Sequence, residues 1–411
     1  MRISSSLVFQ TGLNTINAQQ SDLMHLYQQI GSGQKMVTPA DDPLGASQAI
    51  NLSQSQAQNA RYAANRAVAN QNLGTEEDAL NSLTSLLVDV RTRLVQVGNG
   101  TLSDADRLTL ANVLRNARDT ALGIANTTDG NGQYLFSGSK GGQPAFDAAG
   151  AYQGDALQRN IQADATRQIA GSDIGSDIFA RGQPGTLDYT SAVPNTNAGT
   201  AVFGGPFIAD RDATTGNPDA RYSFAVTFTA TGYDVAVTDH SGVLPPATTS
   251  YPPLAADAAE MDLGHGTRVQ ISGTPAVGDT VTVDPLKTQN PNIFTTLDNL
   301  VAALNAPSQG DAEATASLRN VLNTGMQQLA SNYDNVLTVR ASIGARMNEL
   351  QALDGSGNQR NLGFAKALSG IEDLDYYEAT TQLSLRKMAL EGAGLAFQTI
   401  QGLSLFNLGS K

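Results

Sequence analysis

The chain has no cysteine and no tryptophan in 411 residues. Without cysteine there is no disulfide framework, no thiolate metal site and no thiol nucleophile. Charge is scarce as well: charged residues make up 15% of the chain and aromatics 6%. The 25 basic residues form no cluster and are outweighed by 38 acidic ones, for a net charge of −13. A nucleic acid or an anionic membrane calls for a basic footprint, so neither is expected as a partner. His25, His240 and His265 are too scattered for a metal constellation. Residues 392–410 carry no charge, yet Gln398, Thr399, Gln401, Ser404 and Asn407 are too many polar groups for a lipid-facing span. The N-terminal residues Met1 to Gln10 lack the apolar core and cleavage site of a Sec-type signal peptide, so none is expected.

Catalytic motifs are missing in the same way. There is no phosphate-binding Walker loop, no dinucleotide fingerprint and no Gly-x-Ser-x-Gly nucleophile elbow. Asp41 and Asp42 stand beside Pro43, where a helix cap is a better use for a carboxylate than acid–base chemistry. Asp129-Gly-Asn-Gly and Asp354-Gly-Ser-Gly-Asn begin like calcium loops, but their twelfth positions are Lys140 and Ala365 where a Glu is needed. They read as turns. No enzyme, cofactor or metal is expected.

What the chain does have is helical periodicity at both ends. Leu13, Ile16, Leu23, Tyr27 and Ile30 follow an alternating three-four spacing, interrupted by Gln20, which is a coiled-coil seam. The comparable stretch runs from Leu374 to Leu408, with Leu374, Thr381, Leu385, Met388, Leu395 and Phe406 on one seam, so the two ends are expected to pair. Gly31 and Gly33 are stop signals for the first helix, and Asp42-Pro43 supplies an N-cap and first-turn proline for the next. That helix runs from about Leu44 to Val97, with Leu80, Leu83, Leu87, Val90, Leu94 and Val97 in step. Ser103 caps a third helix carrying Leu110, Leu114, Ala117, Ala121 and Ile124.

After Gly132 the reading changes to strands and turns, around Tyr134–Gly138, Tyr152, 160–164 and 168–179. From 183 to 290 it shifts again. Ten of the fifteen prolines fall there, with four basic against eleven acidic residues and no helical period. This stretch is read as an acidic, β-rich insertion with a hairpin at 222–238 and another formed by 268–272 and 280–283. Helix resumes at 294–304 and again after Gly310, with Leu329, Tyr333, Val336, Ile343, Met347 and Leu350 on one face and a break at Asp354–Asn358. Arg340 reads as a solvated or paired edge residue. The fold class is α+β multidomain. It divides into a terminal coiled coil (1–43 with 370–411), an α-rich rod (44–182 with 291–369) and an inserted β-rich outer domain (183–290).

These residues resemble the bacterial flagellins and, more closely, the hook-associated protein 3 family of hook–filament junction proteins. The resemblance is carried by Ile30-Gly-Ser-Gly-Gln-Lys35 with Thr38-Pro-Ala-Asp-Asp-Pro-Leu-Gly-Ala46, by Tyr134-Leu-Phe-Ser-Gly138 with Pro144-Ala-Phe146, by Ala341-Ser-Ile-Gly-Ala-Arg-Met-Asn348, and by Leu374-Asp-Tyr-Tyr-Glu-Ala-Thr-Thr-Gln-Leu383 with Ile400-Gln-Gly-Leu-Ser-Leu-Phe406. Flagellin itself usually has a Ser-Ala-Lys-Asp-Asp type of sequence where this chain has Thr38-Pro-Ala-Asp-Asp-Pro43. The resemblance covers roughly 1–180 and 292–411, leaving the insertion to composition alone.

It implies a structural protein of the bacterial flagellum, exported by the flagellar type III apparatus and held beforehand by an export chaperone. In the flagellum it would form a ring of its own copies between hook-associated protein 1 and flagellin. The alternatives are a filament-forming flagellin and, for the insertion, a ligand- or glycan-binding module. Expected assembly contacts are Leu13, Ile16, Leu23, Tyr27, Ile30, Leu385, Met388, Leu395, Phe397 and Phe406, with Phe397 and Phe406 placed between subunits. Gly31, Gly33, Asp42 and Pro43 are the expected hinge and cap.

Overall fold

The computed structural model describes residues 5–98, 102–212, 214, 216–242, 244–255 and 258–408, with the side chains of all these except 5, 6, 8 and 400–408. Seven helices are described: α1 (Ser5–Ser32), α2 (Pro43–Gly98), α3 (Asp104–Ala125), α4 (Gly175–Phe179), α5 (Ile293–Asn305), α6 (Ala312–Glu372) and α7 (Tyr376–Leu408). The chain forms two compact units, a terminal unit of Met1–Ala64 with Ala352–Lys411 and a central unit of Asn65–Gln351.

In the central unit the leucine stripe of α2 is the core: Leu80, Leu83, Leu87, Val90 and Leu94 are all buried. Leu114, Ala117 and Ala121 of α3 and Leu329, Val336 and Ile343 of α6 are buried too. Each such leucine contributes about 2 kcal/mol of apolar burial, which is what holds helices of this length in place. The start of α3 is fixed by a reciprocal capping box. Asp106 N–H donates to Ser103 Oγ at 3.2 Å, and Ser103 N–H donates back to Asp106 Oδ2 at 3.2 Å. The Ser103 hydroxyl, donating to Asp106 Oδ2 at 2.7 Å, and then the Ser103 N–H hold the Asp106 carboxyl below its usual range.

Three expected elements come out differently. Tyr134–Gly138 is not a strand but part of an irregular run, with isolated bridges at Thr128–Tyr134 and Phe146–Tyr152, and Leu135 and Phe136 are buried in it. Strands β1 (Asn160–Asp164) and β2 (Arg167–Ala170) form a hairpin, but the chain beyond them closes as α4, not as more strand. Phe146 packs against Phe179 of α4 and Phe294 of α5, with ring centroids 5.4 and 5.1 Å away, and Phe136 meets Phe179 at 5.4 Å. Tertiary packing of these rings sets the local conformation, overriding strand propensity. The break expected at Asp354–Asn358 is absent, and α6 runs through it. Gly357 is buried there, and its carbonyl accepts from the side-chain amide of Asn59 at 2.9 Å.

The inserted stretch builds two antiparallel sheets. One has five strands in the order β3 (Tyr189–Ala192), β11 (Thr280–Pro285), β6 (Tyr222–Thr229), β7 (Gly232–Asp239), β8 (Ala247–Tyr251). In the other, β10 (Thr267–Ser272) pairs β9 (Glu260–Gly264) on one side and the short β4 (Val202–Phe203) and β5 (Phe207–Ile208) on the other. The β6–β7 hairpin turns through Ala230-Thr231 into Gly232, whose φ of 148° suits only glycine. The second hairpin, expected between 268–272 and 280–283, does not form. Those segments are β10 and β11, which lie in different sheets, because both sheets bury one face in a shared core that includes Phe203, Phe224, Val235, Met261, Val269 and Val281.

A ladder of amides on α6 secures this insertion. Asn320 Nδ2 donates to Ala201 O at 2.9 Å while its Oδ1 accepts from Phe203 N–H at 2.8 Å. Asn323 Nδ2 reaches Phe203 O at 2.9 Å. Lower down, Asn332 Nδ2 donates to Arg181 O at 3.1 Å and to Pro291 O at 2.8 Å, holding the outgoing and returning ends of the inserted chain on one side chain. Asn335 Nδ2 takes Asp177 O at 2.8 Å. These side-chain amides decide where irregular backbone attaches, since an unpaired buried carbonyl costs about 1–3 kcal/mol.

Candidate assembly interface

In the terminal unit α1 and α7 pack side by side. Phe9 meets Phe397 with centroids 5.0 Å apart, and Gly12 lies under the same ring, where a Cβ would come within 2.9 Å of it. Asp22 and Arg386 form an ion pair across the pair, exposed and so worth little. Among the described side chains of α1 and α7, Leu26 and Ala379 are the buried apolar ones.

The turn after α1 is pinned at several points. Gly33 has φ 74° and ends the helix by donating to Gln29 O at 2.8 Å; a Cβ in its place would stand only 3.0 Å from Tyr376 Oη. The next residues form a bridge with the α6–α7 turn: Lys35 N–H donates to Glu372 O at 2.7 Å, and Leu374 N–H to Gly33 O at 3.0 Å. The two neighbouring aspartates then divide their work. Asp42 Oδ1 accepts from Gly45 N–H at 2.9 Å and caps α2, whose first residue is Pro43. Asp41 Oδ2 accepts from Val37 N–H at 2.9 Å and Thr38 N–H at 2.8 Å, while its Oδ1 faces His25 Nε2 on α1 at 3.1 Å.

The Thr38 backbone bond, with help from His25, the Thr38 hydroxyl and Val37, holds the Asp41 carboxyl down at about 2. A depressed carboxyl stabilises the folded loop above the unfolded value near 3.8, and that contribution is lost as pH falls through about 2. We therefore expect Asp41→Asn to speed limited proteolysis within residues 34–41 at neutral pH and to abolish the acid-induced rise in cleavage that the wild type shows as pH approaches 2. An unchanged cleavage rate at neutral pH would contradict this role. Asp41 was legible in the sequence only as part of a cap; its hub function depends on a loop that periodicity does not reach.

Leu13, Tyr27, Leu385, Met388 and Leu395 are exposed, and Ile16, Leu23 and Ile30 are half-buried. Phe397, expected between subunits, packs half-buried on Phe9 of its own chain. The side chain of Phe406 lies outside the described residues. Gly31 sits inside the last turn of α1, leaving Gly33 as the residue that ends it. The face of α7 turned toward α1 includes the half-buried Leu383, Leu390 and Phe397, so Leu385, Met388 and Leu395 form a second, outward stripe. More than half of the exposed large apolar side chains among the described residues fall in this unit, which holds under a third of the chain. Such concentration marks an interaction surface.

Among the described residues no group of His, Cys, Asp or Glu could hold a metal ion, and no helix is long and apolar enough to cross a membrane. Paired terminal helices with apolar outer faces, a pinned turn and a helical body carrying inserted sheets define a flagellin-type assembly protein. The bacterial flagellin N-terminal helical region matches residues 3–141. The flagellar hook-associated protein 3 of Escherichia coli K12 is 30% identical over 99% of both chains. Among solved structures, FlgL of Xanthomonas campestris is 29% identical with a TM-score of 0.64, covering 77% of this chain and 99% of that one. The flagellar hook-associated protein 3 of Legionella pneumophila is 27% identical with a TM-score of 0.65, over 78% and 98%.

The chain belongs to the flagellar hook-associated protein 3 family. Like its relatives it is a structural part of the bacterial flagellum, a junction protein and not an enzyme, and it works by contact with other flagellar components. This junction role fits the relatives better than that of a filament-forming flagellin.

Proposed function

We propose that this chain adapts the hook to the filament as a ring of its own copies, seated on hook-associated protein 1 and presenting a surface on which the first flagellins pack. The observation that carries this reading is the gathering of exposed apolar side chains on the terminal unit. Leu13, Tyr27, Leu385, Met388 and Leu395 are its contact residues, and the Gly33–Pro43 turn is its hinge and cap. Residues 1–43 with 370–411 act as the assembling coiled coil, 44–182 with 291–369 as the rod, and 183–290 as the outer domain. Before assembly the same apolar stripe needs covering, which is the task of an export chaperone on the C-terminal helix, and export through the flagellar type III apparatus then delivers the chain.

Immunogold labelling of intact flagella is the direct test. A single band between hook and filament is the expected result. Label along the whole filament would overturn the reading in favour of a flagellin.

A further inference from the structure

One ionisable side chain in the central unit is buried completely. Glu76, on α2, is shielded from solvent, with Oε1 accepting the Asp173 N–H at 3.0 Å and Oε2 buried without a hydrogen-bond partner. Its surroundings make a carboxylate there costly. The Asp173 carboxylate already occupies the site, bonded to Gln158 Nε2 at 2.8 Å and paired with Arg346 of α6. Arg346 is also engaged by Ala170 O at 3.3 Å. The adjacent Glu77 brings a further carboxylate, whose own partner is Arg340 at 2.6 Å. One guanidinium, Arg346, thus faces Glu76 and Asp173 together, and it is committed to Asp173.

We propose that Glu76 is a proton-operated latch: as a neutral acid it fastens the segment 158–175 to α2, and its ionisation lets that segment open. The segment comprises the β1–β2 hairpin and the turn into α4, and its attachments run to 133–136 (Arg159 Nη2 to Tyr134 O at 3.0 Å, Gly175 N–H to Phe136 O at 2.8 Å) as well as to α2 and α6. Besides the Glu76–Asp173 bond these include Asn65 Nδ2 to Gln162 O at 2.9 Å, the buried Arg66 to Ala163 O at 2.9 Å, and ion pairs to Arg346 and Glu349 of α6. Burial first, then repulsion from Asp173, pushes the Glu76 acid up to about 8, against 4.5 for a free glutamate. A raised acid contributes stability that is complete below 4.5 and falls away as pH rises, until it is gone above about 8. Opening releases a proton throughout that window.

Hydrogen exchange of the full chain, corrected for the intrinsic rate, reads this directly. Protection of residues 158–175 should fall about ten-fold per pH unit between pH 5 and about 8 and level off above. Glu76→Gln, which keeps the shape and cannot ionise, should hold near-constant protection over the same range. Equal pH dependence in wild type and variant would overturn the proposal. Should the variant not fold, infrared spectroscopy of the wild type decides. A protonated carboxylic acid band present at pH 6 and lost by pH 10 supports the latch, and no such band at pH 6 refutes it.

Discussion

Replacing Leu385 and Leu395 with aspartate should abolish incorporation of the protein into flagella while leaving the isolated chain as stable as before. Both side chains are strongly exposed, at 58% and 67%, and point away from α1, so their loss removes no packing within the chain. Surface changes of this kind stay within about 0.5 kcal/mol. In the assembled state the same positions would be buried, and an unpaired carboxylate enclosed in an apolar interface costs about 3 kcal/mol or more. Two of them weaken each contact by far more than a hundred-fold, since every 1.4 kcal/mol is about a factor of ten. A motility assay of the double variant, beside unfolding of the purified chain, separates the two effects. Val277→Asp, at an exposed position on the insertion, should leave motility intact. Normal swimming with the double variant would remove the outward stripe of α7 from the assembly surface.

The largest expected loss of stability lies elsewhere, in the ring cluster of the central unit. Phe294→Ala should cost about 3–5 kcal/mol, the usual penalty for emptying a buried aromatic site. Phe294 is fully buried at the start of α5, 5.1 Å from Phe146 and stacked on Phe179 at 6.1 Å, with Gly150 pressed against it. A Cβ at Gly150 would fall 2.4 Å from Phe294 Cβ, and the φ of 77° there disfavours any side chain. The backbone has closed on the ring, which limits how far the site can collapse when the ring is removed. Denaturant unfolding should show a lower midpoint with the slope unchanged. Phe294→Leu should recover much of the loss. A cost below about 1 kcal/mol for the alanine variant would mean that the cluster repacks and that the backbone around Gly150 yields after all.

The helices were legible because their signals are local. Asp42-Pro43 and Ser103 mark starts, and the stripe from Leu80 to Val97 fixes a buried face. The pairing face of α7 was not legible in the same way. That helix carries apolar residues on nearly every side, so a repeat through Leu385 and Leu395 fits as well as one through Leu383 and Leu390. Only the position of α1 distinguishes them. The continuity of α6 across Gly355 and Gly357 was hidden for a related reason. Glycine costs a helix about 1 kcal/mol per residue, a local penalty, whereas the Asn59 amide that binds Gly357 O comes from another helix. The asparagine ladder left a weak trace, since Asn320, Asn323, Asn332 and Asn335 are poor helix formers at helical spacing. Their targets are carbonyls of irregular chain, and nothing in the pattern of those segments announces them.

Asn332 gives the insertion a common doorway. Because one amide donates to both Arg181 O and Pro291 O, the inserted chain leaves and returns at one point, and Asn320 and Asn323 hold it again at Ala201 and Phe203. Away from those attachments length matters little: doubling a closed loop adds only about 0.6 kcal/mol of closure entropy. The parts of that stretch which α6 does not hold are therefore free to be lengthened, pruned or exchanged while the helices keep their fold.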